Sequence, residues 1–264
     1  MLAAKGSWRR LWEQTIADAA MGETVPTALI AWEGLVFAGN AGGDIKGVKG
    51  RMYALDAATG RIVWEQYMVP REPSDRARGP AAPAPSPAPR WSNPPGVPIS
   101  GGASWTSYTL EPDTGTLYVP GGNPAPDFTP HLRPGANPYA GSVVALDART
   151  GAVKRTYTLV ARDFHDWDVS AAPAVLTTRG GRRIMAAAIK DGYLHGFDAA
   201  TGDAIRRIAT TPLDRAPAGY VGSTAKTLPI GGKALCGQAC RSQILQPPPM
   251  GVAAPGSERS SPFE

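Results

Sequence analysis

The stretch Ala54-Leu55-Asp56-Ala57-Ala58-Thr59-Gly60, followed by Trp64, decides the fold. An alternating segment, Met52 to Leu55, runs into Asp-x-x-Thr-Gly, and a second extended segment, Arg61 to Trp64, leaves it. Asp and Thr side chains bond turn amides, and glycine takes the positive φ that such a turn needs. This is the pattern of a β-hairpin. It recurs as Ala145-Leu146-Asp147-Ala148-Arg149-Thr150-Gly151, after Ser142 to Leu146, and as Gly196-Phe197-Asp198-Ala199-Ala200-Thr201-Gly202, after Tyr193 to Phe197. At the offset of Trp64 these copies carry Arg155 and Arg206. Repeated all-β units of this size predict stacked propeller blades.

Composition agrees. Charged residues make up 19% of 264, while 31 Gly and 27 Pro exceed a fifth of the chain, which disfavours a helical bundle. The net charge of +5 is spread over scattered arginines, such as Arg9-Arg10 and Arg182-Arg183, and reads as a solvated surface, not a nucleic-acid interface. No apolar run reaches the roughly 18–20 residues of a membrane span. Met1 to Arg10 has no apolar signal-peptide core, which by itself points to a cytosolic protein or a missing natural start. Cys236 and Cys240 stand alone, without a second pair or a nearby His, and read as plain thiols or a local disulfide.

Asp56 and Asp147 are 91 positions apart, Asp147 and Asp198 only 51. The wider gap holds a Pro/Ala-rich stretch, residues 78–100, expected as a long exposed insertion loop of polyproline II character within one domain. Residues 1–230 are read as the propeller, and 231–264 as a divergent, disordered tail without strand periodicity.

The repeat Ala-x-Asp-x-x-Thr-Gly-x-x-x-Trp resembles the tryptophan-docking repeat of the quinoprotein (PQQ-dependent) alcohol and methanol dehydrogenases. That resemblance implies part of an eight-bladed β-propeller, in which the Trp packs between blades. Three further segments strengthen it. Gly101-Gly102-Ala103-Ser104-Trp105 leads to Gly121-Gly122-Asn123-Pro124-Ala125-Pro126, with Trp105 and Asn123 18 residues apart. The resemblance makes Trp105 the flat floor under pyrroloquinoline quinone (PQQ) and Asn123 a Ca²⁺ ligand. An aromatic face suits a planar quinone, and an amide oxygen suits a hard cation. Taken singly, each also reads as a core Trp or a turn-forming Asn-Pro.

Phe164-His165-Asp166-Trp167-Asp168 resembles the family's His-Asp-x-Trp-Asp, one residue shorter before the Trp. It implies Asp168 as the catalytic base and a Ca²⁺ ligand, taking the alcohol proton as hydride passes to the quinone carbonyl carbon that Ca²⁺ polarises. Asp166 is the rival, with capping or pairing to Arg162 as its plainer role. Ser170 stands where lanthanide-dependent relatives carry a further Asp, which favours Ca²⁺. Gly43-Asp44-Ile45-Lys46-Gly47-Val48-Lys49-Gly50 resembles the stretch where the family places a Ca²⁺-binding Glu, which implies the shorter Asp44 as ligand. No Gly-x-Gly-x-x-Gly opens a helix here, so a nucleotide-binding reading is set aside. Lys190-Asp191-Gly192 resembles the turn that presents a cation to the quinone oxygens, which implies Lys190 for that contact. His131 and His195 lack partners at metal-like spacing and are given no role.

The resemblance thus implies an oxidoreductase that converts an alcohol to an aldehyde with PQQ and Ca²⁺. It passes electrons to a cytochrome c or a quinone, in the periplasm. It runs from about Leu11 to Ile208 and implies a partial chain, beginning near the end of a blade at Leu11-Trp12-Glu13. Two other readings are carried forward: a non-catalytic propeller scaffold, and an inactive truncated remnant of the enzyme.

Overall fold

The computed structural model describes residues 9–84 and 91–210. The expected tail 231–264, both cysteines and the last part of the expected domain lie outside them. Three four-stranded antiparallel sheets follow one another along the chain. The first is β1 (Ile30–Trp32), β2 (Leu35–Gly39), β3 (Arg51–Asp56) and β4 (Ile62–Tyr67), in that spatial order. After the short β5 (Ser100–Gly101), the second sheet is built from β6 (Thr109–Glu111), β7 (Thr116–Pro120), β9 (Ser142–Asp147) and β10 (Val153–Thr158). Its β7–β9 connection contains β8 (Pro124–Ala125), which pairs with β5. The third is β11 (Ala174–Thr177), β12 (Arg183–Ala188), β13 (Tyr193–Asp198) and β14 (Ala204–Ala209). Each sheet is an up-and-down meander, the form of a propeller blade.

The repeated turns join the third and fourth strands of each blade, where the sequence puts them. Asp56 Oδ1 accepts from the Ala58 and Thr59 amides (3.1 and 2.8 Å) and from Thr59 Oγ1 (2.7 Å). Asp147 and Asp198 repeat the amide bonds in their own turns. Gly60, Gly151 and Gly202 take φ of 75°, 72° and 83°.

These turns also dock one blade on the next. Trp64, 3% exposed, lies over Gly151, where a Cβ would come 2.7 Å from the indole, and its Nε1 donates to Ala148 O at 3.0 Å. Trp12 does the same to the first blade, packing on Gly60 and donating to Ala57 O at 2.9 Å. At the third turn the side-chain carbons of Arg155 rest against Gly202. The equivalent carbonyl, Ala199 O, accepts instead from Tyr157 Oη at 2.7 Å. Tyr157 is two residues beyond Arg155 and so shares its side of β10. One buried Trp is thus replaced by two residues: Arg155, which packs on Gly202 and donates to Thr201 O, and Tyr157, which bonds Ala199 O.

Between the first two blades the core gathers Phe37, Met52, Trp64, Leu117 and Leu146. Between the second and third it gathers Tyr118, Tyr157, Trp167, Met185 and Phe197. The described parts of the Pro/Ala-rich stretch are mostly exposed or half-buried, but they are tied to the blades at a few points. Residues 80–82 run beside β4, with Glu65 N donating to Pro80 O and Ala82 N to Glu65 O (2.7 and 2.9 Å). Trp91 and Ile99 are buried with Val69 and Ala140. Proline lacks a donor but keeps its carbonyl, so the segment pairs through the Pro80 carbonyl and the Ala82 amide, and Trp91 adds an apolar anchor.

Candidate active site

In an up-and-down blade the turn between strands three and four lies at one end, and the connection between strands two and three lies at the other. The site is built at that second end. Asp44 lies in the β2–β3 connection, Asn123 in β7–β9 and Lys190 in β12–β13. Trp105 and Asp168 lie on the segments that lead into β6 and β11.

Backbone pairing binds these segments together. Gly102 N donates to Asn123 O, Gly122 N to Ala103 O (both 3.0 Å), and Ser104 N to Asn40 O (3.1 Å). The approach is close enough that a Cβ on Gly101, at φ 106°, would sit 2.5 Å from Asn123 O. Asn40, fully buried, holds the first loop by accepting from Arg51 N (2.6 Å) and donating to Lys49 O (3.0 Å). Asp163 shapes the loop before β11, accepting from the amides of His165 (2.8 Å) and Trp167 (2.7 Å). Neither Asn40 nor Asp163 was singled out from sequence. Their work is local backbone bonding, for which residue identity alone gives no signal.

The result is a cavity of about 300 Å³ lined by Asp44, Trp105, Asn123, Asp166, Asp168 and Lys190, with small residues between them. All five side chains expected from sequence, and the rival Asp166, therefore meet in one place. Asp168, 4% exposed, accepts from Asn123 N–H at 2.7 Å through Oδ1 and from Lys190 Nζ at 2.7 Å through Oδ2. Lys190 Nζ also reaches Asp166 Oδ2 at 3.0 Å and lies 5.4 Å from the centre of the Trp105 ring. Trp105 is 39% exposed and lines the cavity, with Lys190 Nζ over its ring. Asp166 holds a positive φ of 62°, an uncommon conformation for a residue with a side chain.

Negative charge dominates. Burial pushes Asp168 up to about 6, against the opposing pull of Lys190. Burial, then the charge of Asp166, raises Asp44 at the exposed rim. Asp127, which sequence reading passed over, is pushed up to about 7 by burial and by Asp44, Asp166 and Asp168. Its Oδ1 is buried without a hydrogen-bond partner, as is Asn123 Nδ2. Burial pulls the Lys190 ammonium down, but its contacts with Asp168 and Asp166 outweigh that and raise it. The arrangement suits an added cation, and its donors are the oxygens that a hard cation takes. Among the described residues, no three of His, Cys, Asp and Glu cluster closely enough to hold a metal by themselves.

Residues 11–239 match the family described as PQQ: glucose/ethanol/alcohol dehydrogenase, β-propeller domain. The chain belongs to that family. It is 31% identical to the quinohemoprotein alcohol dehydrogenase of Comamonas testosteroni over 224 residues, 80% of this chain and 30% of that one. It is 30% identical to the lupanine 17-hydroxylase [cytochrome c] of a Pseudomonas species, over 81% of this chain and 32% of the relative. The crystal structure of the Comamonas enzyme superposes with a TM-score of 0.62 and 28% identity, covering 83% of this chain and 32% of that one. The chain thus spans about a third of the length of the relatives it matches, and its three sheets are blades of a quinoprotein-dehydrogenase propeller. No helix among the described residues is long and apolar enough to cross a membrane.

Proposed function

We propose that this chain carries the cofactor end of a PQQ- and Ca²⁺-dependent alcohol dehydrogenase, oxidising an alcohol to an aldehyde. One observation carries the reading: five side chains from five separate segments, matched to the family by four motifs, line a single cavity. A scaffold propeller has no need of that convergence.

When bound, PQQ would supply the hydride acceptor and Ca²⁺ a Lewis acid for the quinone carbonyl. Trp105 offers an aromatic face on which a planar ring stacks. Asp44, Asn123 and Asp168 are the oxygen donors for the cation. The Asp168 carboxylate takes the hydroxyl proton. Its value of about 6 leaves it ionised at neutral pH yet basic enough to share a proton there. Asn123 N–H fixes one oxygen, so the other faces its partners in a set direction. Lys190 has three donors, two of them engaged by Asp166 and Asp168. The third is available to a quinone oxygen. Electrons then pass to a cytochrome c or a quinone, and the reaction takes place in the periplasm.

PQQ titration of the purified chain, with and without Ca²⁺, tests the reading through quenching of tryptophan fluorescence. Saturable, Ca²⁺-dependent quenching that is lost in Trp105→Ala and weakened in Asn123→Ala is expected. A folded chain that leaves PQQ unbound at millimolar Ca²⁺ would withdraw the activity from this chain and favour the remnant.

A further inference from the structure

Lys190 stands on a four-residue turn, Ile189 to Gly192, between β12 and β13. Such a turn does not hold a long, flexible side chain against two carboxylates by itself. Four contacts fix it. Lys190 N donates to Asp168 O at 3.2 Å, and Gly192 N to Ile189 O at 3.3 Å. Gly192 O accepts from the Thr210 amide (2.9 Å) and hydroxyl (3.0 Å). The fourth is a side-chain pair. Asp191 Oδ1 accepts from Tyr193 N–H at 2.9 Å, while its Oδ2 lies 2.8 Å from His195 Nε2.

Both members of that pair are buried, Asp191 at 3% and His195 at 6% exposed. The two side chains lie at hydrogen-bond distance, and the tautomer with its proton on Nε2 makes His195 the donor. His195 is on β13, opposite Arg207 of β14 and Ala187 of β12, so its ring is fixed by the sheet. Tyr193 packs edge-on against it, and Arg207 lies over Tyr193 at 4.5 Å. The turn's carboxylate is thereby tied to a rigid strand four residues on. A buried, charge-assisted bond of this kind is among the stronger single contacts a turn can have.

We propose that Asp191 and His195 are a positioning pair for the site, holding the turn so that the Lys190 ammonium lies on Asp168 and over Trp105. Neither touches the cavity; both act through Lys190. The inference rests on Lys190 being a working residue of the proposed site, but its geometry is present without cofactor.

The test is therefore made on the cofactor-free chain. The ¹³C–¹H signal of the Lys190 ε-methylene is assigned by its loss in Lys190→Met, and the Trp105 ring current sets it apart from the exposed lysines. In His195→Phe, which fills the space without a donor, the signal moves to the position of exposed lysines. In His195→Gln, whose amide can donate to Asp191, it stays near its wild-type place. The amide signals of the first two blades hold in both. A folded His195→Phe that leaves the Lys190 signal where it was overturns the proposal. Should His195→Phe not fold, Asp191→Ser is read with the same two outcomes, since serine can still accept from Tyr193 N–H but is too short for His195. PQQ titration of the same wild-type protein separates the two ideas. Failure to bind removes the proposed function and leaves the Lys190 measurement standing.

Discussion

Replacing Trp64 by alanine should be the most damaging single change at a blade interface. The indole is nearly fully buried between the first two blades, in contact with Gly151 and among Phe37, Leu117 and Leu146. Truncating a buried Trp or Phe to Ala costs about 3–5 kcal/mol. The change also strands Ala148 O, for roughly another 1 kcal/mol. A folded region of this size loses about 2–4 °C in Tm per kcal/mol, so a fall on the order of 10 °C is expected. Arg155→Ala, at the equivalent place one blade on, removes aliphatic contact with Gly202 and an exposed hydrogen bond to Thr201 O from a half-buried side chain, and should cost about 1 kcal/mol. Urea and thermal unfolding of the two variants, followed by circular dichroism, compares them directly. Equal losses at the two positions, or a Trp64→Ala variant within about 1 kcal/mol of the parent, would refute the claim that docking energy is concentrated in the tryptophan.

Three further outcomes are expected. Tyr157→Phe keeps the packing and deletes the hydroxyl's bond to Ala199 O together with its side-chain hydrogen bond with Tyr118, so it should lower stability by roughly 1 kcal/mol or more in the same urea experiment, more than Tyr→Phe at an exposed site. The Asp56 and Asp198 carboxyls are held below the usual range, by hydrogen bonds from Thr59 and Thr201 respectively. A depressed carboxyl contributes stability above its unfolded value, about 3.9, and that contribution is lost as pH falls through the folded value. Unfolding midpoints should accordingly drop below about pH 4, and Asp56→Asn should flatten that part of the curve. Asp168 is ionised only above about 6, so Ca²⁺ binding measured by calorimetry should be full at pH 8 and weak at pH 5. Equal affinity at the two pH values would remove Asp168 from the ligand set.

The strands β3, β9 and β13 and their turns were legible because the information is local. Alternation sets the strand, and Asp, Thr and Gly within five positions set the turn. The site side chains were legible for a different reason. They belong to motifs that carry the resemblance, so Trp105, Asn123 and Asp168 could be named without knowing that they converge. What escaped depends on contacts that spacing does not reveal. Composition marked residues 78–100 as an exposed loop, and most of those described are exposed or half-buried, but it gave no sign that Trp91 and Ile99 would be buried with Val69 and Ala140. His195 had no partner at metal-like spacing, but its partner is the turn carboxylate four residues back. Tyr157 gave no sign that it would stand in for an indole N–H, because its target lies 42 residues away on another blade.

Docking and chemistry occupy opposite ends of the same strands. The turns that receive Trp12, Trp64 and the Arg155–Tyr157 pair close the third and fourth strands, and the cavity is assembled from connections at the far end. A blade of six-residue strands therefore keeps roughly 20 Å between the two. That distance gives the chain two separate regions. The exchange of a docking tryptophan for Arg155 changes the turn-end contacts between the second and third blades, at the end of the strands away from Lys190. Conversely, the loops that carry Asp44, Asn123 or Lys190 lie at the end of the strands away from the turns that receive Trp12 and Trp64.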